Sequence, residues 1–246
     1  VLRSTFVPHV QWSANYLAAF VGILGTTISP YLFFWQASQE VEEERKIGRR
    51  TVTQREGASD DELRKSRTDV LTGMFFSNLV MYFIILTTAA TLHAQGKTSI
   101  DTAQQAAEAL KPLAGNFAYL LFTLGLIGTG MLGVPVLAGA AAYAIAEARV
   151  WRGTLEDKPR LAKKVVAISM LLGLSLNYAG IHAVKMLFLA AVTNGVLAPP
   201  LIVLVVLLTG NKKVMGKRVN PPALKWLGWW TAAIMSAAAI AMFATM

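Results

Sequence analysis

Residues 21–44 read VGILGTTISPYLFFWQASQEVEEE, an apolar run interrupted by Thr26-Thr27-Ile28-Ser29-Pro30, resumed by aromatics and closed by an acidic cluster. Pro30 lacks a backbone N–H and its ring clashes with the preceding turn, so an ordinary helix cannot pass through it undisturbed. At bilayer depth, freed backbone survives only where protein or a watery cavity satisfies it. Secondary transporters use such interrupted helices to bind ions near the midplane. Two readings of the stretch stand side by side. One is a proline kink whose Thr and Ser hydroxyls re-satisfy the backbone; the other is an ion site with carbonyls near Thr26 and Thr27 turned to a cation.

Composition favours a membrane setting. Of 246 residues, 54% are hydrophobic and 15% charged, against about 25% charged in a soluble domain. The formal charge of +9 is gathered in blocks between apolar runs. That pattern suits loops under the positive-inside rule and not a nucleic-acid groove. With no cysteine, disulfides and thiolate ligands are excluded. No signal-peptide pattern is present, and the start at Val1 reads as a piece of something longer.

A helix needs about 20 mostly apolar residues to cross the hydrocarbon core. On that measure the chain is an all-α integral membrane protein with six expected spans, near 14–38, 70–94, 113–148, 162–178, 182–210 and 223–245, forming one transmembrane domain over 1–246. Lys and Arg crowd the loops after the first, third and fifth spans, at Arg45–Arg67, Arg149–Lys164 and Lys212–Lys225. The alternate loops are poor in them, so the rich side is expected to be cytoplasmic. Residues 52–67 are polar and read as a flexible loop, with Asp69 as the cap of the second span.

The text of the first span resembles that of the natural resistance-associated macrophage protein (Nramp) family of proton-coupled divalent-metal transporters, in its divergent bacterial branch. The family's sixth helix carries a run close to G-A-T-V-M-P-H-N-L-Y-L-H-S; Gly25-Thr26-Thr27-Ile28-Ser29-Pro30-Tyr31-Leu32-Phe33-Phe34-Trp35-Gln36-Ala37 stands in its place. Gly130-Met131-Leu132-Gly133-Val134-Pro135-Val136-Leu137-Ala138 is similar to the eighth-helix motif, and Pro112-Leu113-Ala114-Gly115 and Val214-Met215-Gly216 sit where the family has similar text. The resemblance covers the whole chain as helices six to eleven. It implies a partial leucine-transporter-like fold, the second inverted repeat plus one extra helix. Helices one to five, with the family's Asp-Pro-Gly-Asn signature, would be a missing N-terminal half and a partner of this chain.

The resemblance also distributes roles. Thr26 takes the place of the family's carbonyl ligand and Ser29 that of its methionine. A thioether is soft and favours Mn²⁺ or Fe²⁺, whereas a hydroxyl is a hard donor. Mg²⁺ keeps several waters and takes few protein ligands, so the serine implies broader or harder-ion selectivity. Thr27 and Pro30 complete the break. Tyr31 stands where the family has a histidine on the proton route, and tyrosine does not titrate near neutrality. Asn78 and Asn194 take positions near the family's pathway asparagine and glutamine; interhelical hydrogen bonds are the plainer role for both.

The resulting expectation is secondary-active transport of divalent metal ions (Mn/Fe-type or Mg²⁺) across the bacterial cytoplasmic membrane by alternating access, with proton coupling as the family's habit. The metal would be cargo, with the lipid bilayer around it, no cofactor and no nucleic-acid partner. An organic-substrate, amino-acid-type transporter of the same fold is the alternative. No nucleophile, carboxylate pair or nucleotide loop points to an enzyme. His9, His93 and His182 are isolated, and Glu40–Glu44 reads as a solvated helical extension more readily than as a cation funnel.

Overall fold

Ser13, extended in backbone, accepts a hydrogen bond from the Tyr16 N–H and starts the first helix, α1 (Ala14–Ile28). The computed structural model describes residues 11–96, 100, 102–148, 159–180 and 183–245. Described residues form helices only, in agreement with the expected all-α class. After α1 come α2 (Tyr31–Lys46), α3 (Asp60–Thr91), short α4 (Ala103–Ala107) and α5 (Lys111–Ala114), and α6 (Ala118–Ala148). They are followed by α7 (Pro159–Tyr178), α8 (Ala183–Thr209), short α9 (Lys212–Met215) and α10 (Pro222–Thr245).

Five helical stretches among the described residues are long and apolar enough to cross a membrane: Ala14–Lys46, Asp60–Thr91, Gly115–Ala146, Ala183–Thr209 and Pro222–Thr245. The fourth expected span forms α7, a helix of 20 residues. With Lys163 and Lys164 in its first two turns, it is not among those five.

The second long helix begins ten residues before its apolar text. Ser59 caps it in a capping box, accepting from the Glu62 N–H at 3.2 Å while Glu62 accepts from the Ser59 N–H at 2.6 Å. Asp60, Asp61 and Glu62 occupy the first turn, where carboxylates complement the helix dipole. The expectations of a flexible 52–67 and of Asp69 as cap are therefore corrected. Thr53–Arg55 is a 3-10 turn, residues 60–67 are helical, and Asp69 lies inside α3.

The chain divides into two compact units. The first comprises residues up to Pro30 together with Leu187–Met246. Its core joins α1 to α10 through Leu17, Val21, Ala238 and Met242, with Val192 and Val196 of α8 against them. Backbones touch where α1 meets α8. A Cβ added to Gly25 would strike the Ala191 carbonyl oxygen and the Gly195 nitrogen, and one added to Gly195 would strike the Val21 carbonyl oxygen. Small residues permit this approach in lipid, where no hydrophobic force separates helix contacts from lipid contacts.

The second unit spans Tyr31–Met186. There α2 packs on α6, and α6 on α7. The Trp35 ring lies over Gly139 and meets Tyr143 edge-on, with centroids 5.5 Å apart. Arg49 closes the turn after α2, donating to both oxygens of Glu44 at 2.8 Å and reaching Glu62 at 3.4 Å. One guanidinium thus ties the end of α2 to the start of α3. Along α3 large side chains such as Leu71, Phe75, Phe83 and Ile84 are exposed, as suits a lipid-facing or partner-facing helix.

Candidate metal centre

The interruption is real and short. α1 ends at Ile28 and α2 begins at Tyr31, leaving Ser29 and Pro30 between them, midway along the Ala14–Lys46 stretch. Ser29 is the one non-glycine residue with positive φ among the described residues, at φ 47° and ψ 67°. That left-handed turn costs an L-residue roughly 1–2 kcal/mol and is held by the Ser29 N–H donating to the Gly25 carbonyl at 2.9 Å. Pro30 behind it is buried.

The break is narrower than Thr26–Ser29, because Thr26 and Thr27 belong to the last turn of α1. The Thr26 hydroxyl donates to the Gly22 and Ile23 carbonyls at 3.1 and 2.9 Å, and the Thr27 hydroxyl donates to the Ile23 carbonyl at 2.8 Å. These hydroxyls serve their own helix, as in the kink reading. The Thr26 carbonyl has a different position. Its helical donor would be the N–H of residue 30, and proline has none. The Ser29 hydroxyl takes that place at 2.6 Å. Thr26 and Ser29 are thereby one unit, a backbone oxygen and a rotatable hydroxyl in contact.

Asn194 lies beside Gly195, the residue whose backbone meets Gly25, so within the first unit the Thr26 and Asn194 positions flank the same close crossing. In the second unit Tyr31 and Leu32 line an apolar groove of about 640 Å³ with Gly125, Gly128, Thr129 and Gly133 of α6. Asn78 is not part of that lining. Its amide donates to the Met74 carbonyl of its own helix at 2.7 Å. The glycines of α6 sit inside the helix, which removes any phosphate loop there.

Among the described residues, no three His, Cys, Asp or Glu side chains gather as a metal-holding group. His93 lies in a 3-10 turn, and His9 and His182 fall outside the described residues. At the break itself, Thr26 and Ser29 present a backbone carbonyl and a neutral hydroxyl oxygen, ligands suited to hard or hydrated divalent ions.

Comparison with known proteins decides the family. A family model described as natural resistance-associated macrophage protein-like matches residues 1–245. The chain belongs to the Nramp family.

Curated Nramp relatives named divalent metal cation transporter MntH match most of its length. The one from Yersinia enterocolitica is 28% identical over 230 residues, 92% of this chain and 51% of that protein. The one from Xanthomonas campestris pv. campestris is 26% identical over 235 residues, 94% of this chain and 51% of that protein. The chain spans about half the length of these relatives. The expected membrane setting holds: the chain is an Nramp member with five membrane-length apolar helical stretches among its described residues.

α8 runs through Pro199 and Pro200 without ending, as the apolar text on both sides of the prolines allows.

Proposed function

We propose that this chain is the half of a divalent metal cation transporter that carries the second broken helix. In this reading Thr26, through its carbonyl, and Ser29, through its hydroxyl, meet the cation. Thr27, Pro30 and Tyr31 shape the break, and Asn194 and Asn78 line the approach. The contact that carries the reading is the 2.6 Å hydrogen bond from Ser29 to the Thr26 carbonyl. A hydroxyl that rotates away uncovers an oxygen with no helical donor, placed midway along a membrane-length stretch. The names of the MntH relatives favour metal over an organic substrate.

The protein works in the cytoplasmic membrane together with helices one to five, and the cation is cargo. Alternating access moves it, with the non-helical join at Ser29–Pro30 as the place where the broken helix can change its course. Ser29 in place of a thioether opens the site to Mg²⁺ beside Mn²⁺. Tyr31 replaces the histidine that the family resemblance places on the proton route.

The test is uptake of Mn²⁺ and Mg²⁺ by the full-length protein in liposomes, with Pro30→Ala as the informative variant. Alanine restores an N–H for the Thr26 carbonyl. The reading expects uptake to fall at least tenfold with insertion unchanged. Uptake at the parent rate would remove the broken helix from the mechanism.

A further inference from the structure

Proline releases carbonyls at a second place in the first unit. Pro199 and Pro200 both lie inside α8. Each removes the N–H that would reach the carbonyl four residues back, so Gly195 and Val196 lose their i+4 donors. These two residues are midway along Ala183–Thr209, a stretch long and apolar enough to cross a membrane. The residues around the pair, Leu197, Ala198 and Leu201, carry no hydroxyl to take the place of the lost N–H groups as Ser29 does at Thr26. Val196 packs against the core formed by α1 and α10. Gly195, Ala198 and Pro199 are buried. A backbone carbonyl stripped of its donor in such surroundings is expensive unless something polar meets it.

The location narrows what that is. Gly195 is the residue whose backbone touches Gly25 and Val21 of α1. Gly25 in turn accepts the hydrogen bond that fixes Ser29, and Thr26 follows it directly. The two proline-released sets, one on α1 and one on α8, therefore lie on either side of a single backbone-to-backbone crossing within one compact unit. Oxygen-only ligation by carbonyls is what a hard divalent cation accepts.

We propose that the carbonyls of Gly195 and Val196 are part of the cation site, as ligands from α8 that face the partly dehydrated divalent ion alongside Thr26 and Ser29. Pro199 and Pro200 act as positioning residues that keep those oxygens free. Asn194 flanks them and holds cation-bound water. The inference rests on the metal-transport reading, and the experiment below separates the failure of one from the failure of the other.

The experiment replaces proline by alanine, one site at a time, in the full-length transporter. Pro199→Ala returns a donor to Gly195, and Pro200→Ala returns one to Val196. Pro135→Ala makes the same edit in α6, returning a donor to Met131, whose side chain is exposed; it serves as the control. Mn²⁺ and Mg²⁺ binding is read by titration calorimetry on purified protein, and uptake KM in liposomes. Pro199→Ala or Pro200→Ala should weaken binding and raise KM at least fivefold with little change in maximal rate, while Pro135→Ala leaves both unchanged. Thermal stability should not fall, since the edit restores a helix hydrogen bond. If Pro30→Ala weakens binding but neither α8 variant does, the α8 ligands are refuted and the broken-helix reading stands. If no proline variant alters binding, both are overturned. Equal weakening by Pro135→Ala would also sink the proposal, because the effect would then be general to helix straightening.

Discussion

Gly25 and Gly195 bring α1 and α8 together with no side chain between them, one residue before Thr26 and one after Asn194. The contact is specific to these positions. A Cβ at Gly25 would lie 2.7 Å from the Gly195 Cα, whereas one at Gly22, a turn earlier, would meet Val192 at an ordinary 3.6 Å. Gly25→Ala and Gly195→Ala should each cost about 1–3 kcal/mol of stability through overpacking and displace the break. Gly22→Ala should be neutral or stabilising, by up to ~1 kcal/mol of helix propensity. Thermal unfolding of the detergent-solubilised protein separates the three. Equal tolerance of alanine at Gly22 and Gly25 would show that the helices do not touch as described.

A second glycine contact orients α2. The Trp35 ring sits on Gly139, with Cη2 at 2.7 Å and Cε3 at 2.9 Å from where a Cβ would be. Gly139→Ala should therefore tilt the indole away from Tyr143 and lower transport severalfold. Trp35→Leu, smaller at the same place, should recover much of the loss when combined with it. This is a coupling between neighbours of the kind a double-mutant cycle measures. Additive losses would mean that Trp35 and Gly139 act separately.

Arg49 predicts the behaviour of the connection between α2 and α3. Its guanidinium is pushed above the usual arginine value, first by the hydrogen bond to Glu44, then by the Glu44 charge, with smaller help from Glu62. It stays charged at any practical pH, so salt is the lever on this partly exposed clamp. Arg49→Ala should speed trypsin cleavage between Arg50 and Arg64 severalfold at low salt, and high salt should narrow the gap to the parent. Identical cleavage rates in parent and variant would show the clamp to be idle.

The sequence carried the break, the apolar spans and the family resemblance, because each is a local pattern of apolar length and proline chemistry. It misled where a local rule met a nonlocal one. Residues 60–67, within the 52–67 stretch, look like loop by composition, yet Ser59 and Glu62 make a capping box that starts α3 early. Glu42 looked solvated among its acidic neighbours but is 7% exposed, with an Oε1 lacking a hydrogen-bond partner. Its position one heptad after Trp35 puts it on the packed face of α2, which only the packing on α6 reveals. Glycine pairing across helices has no signature in one-dimensional text, so Gly25 and Gly195 were not legible as partners.

The burial of Glu42 has its own consequence. Taking a carboxylate out of water carries a desolvation cost, and one Glu42 oxygen is buried without a hydrogen-bond partner. Glu42→Gln, nearly the same shape without the charge, should leave stability unchanged or raise it, by an amount on the order of 1 kcal/mol. Glu43→Gln, exposed on the next position, should do nothing. A clear loss of stability in Glu42→Gln would mean that the charge is paired in the assembled transporter.

Ser29 offers the sharpest chemical test. The hydroxyl is a hard donor that now caps the Thr26 carbonyl, and the left-handed turn it occupies is tolerated by other unbranched side chains at a similar cost. Ser29→Met leaves the break in place, because Pro30 still withholds its N–H, but substitutes a soft thioether. Mn²⁺ and Cd²⁺ uptake should rise relative to Mg²⁺, by about tenfold or more in the ratio, a shift of about 1.4 kcal/mol in relative affinity. Ser29→Ala distinguishes ligand from cap. It removes the oxygen without adding sulfur, so it should weaken Mg²⁺ and Mn²⁺ uptake together. An unchanged Mn²⁺-to-Mg²⁺ ratio in Ser29→Met would place Ser29 outside the coordination sphere and leave the Thr26 carbonyl as the only ligand at the break.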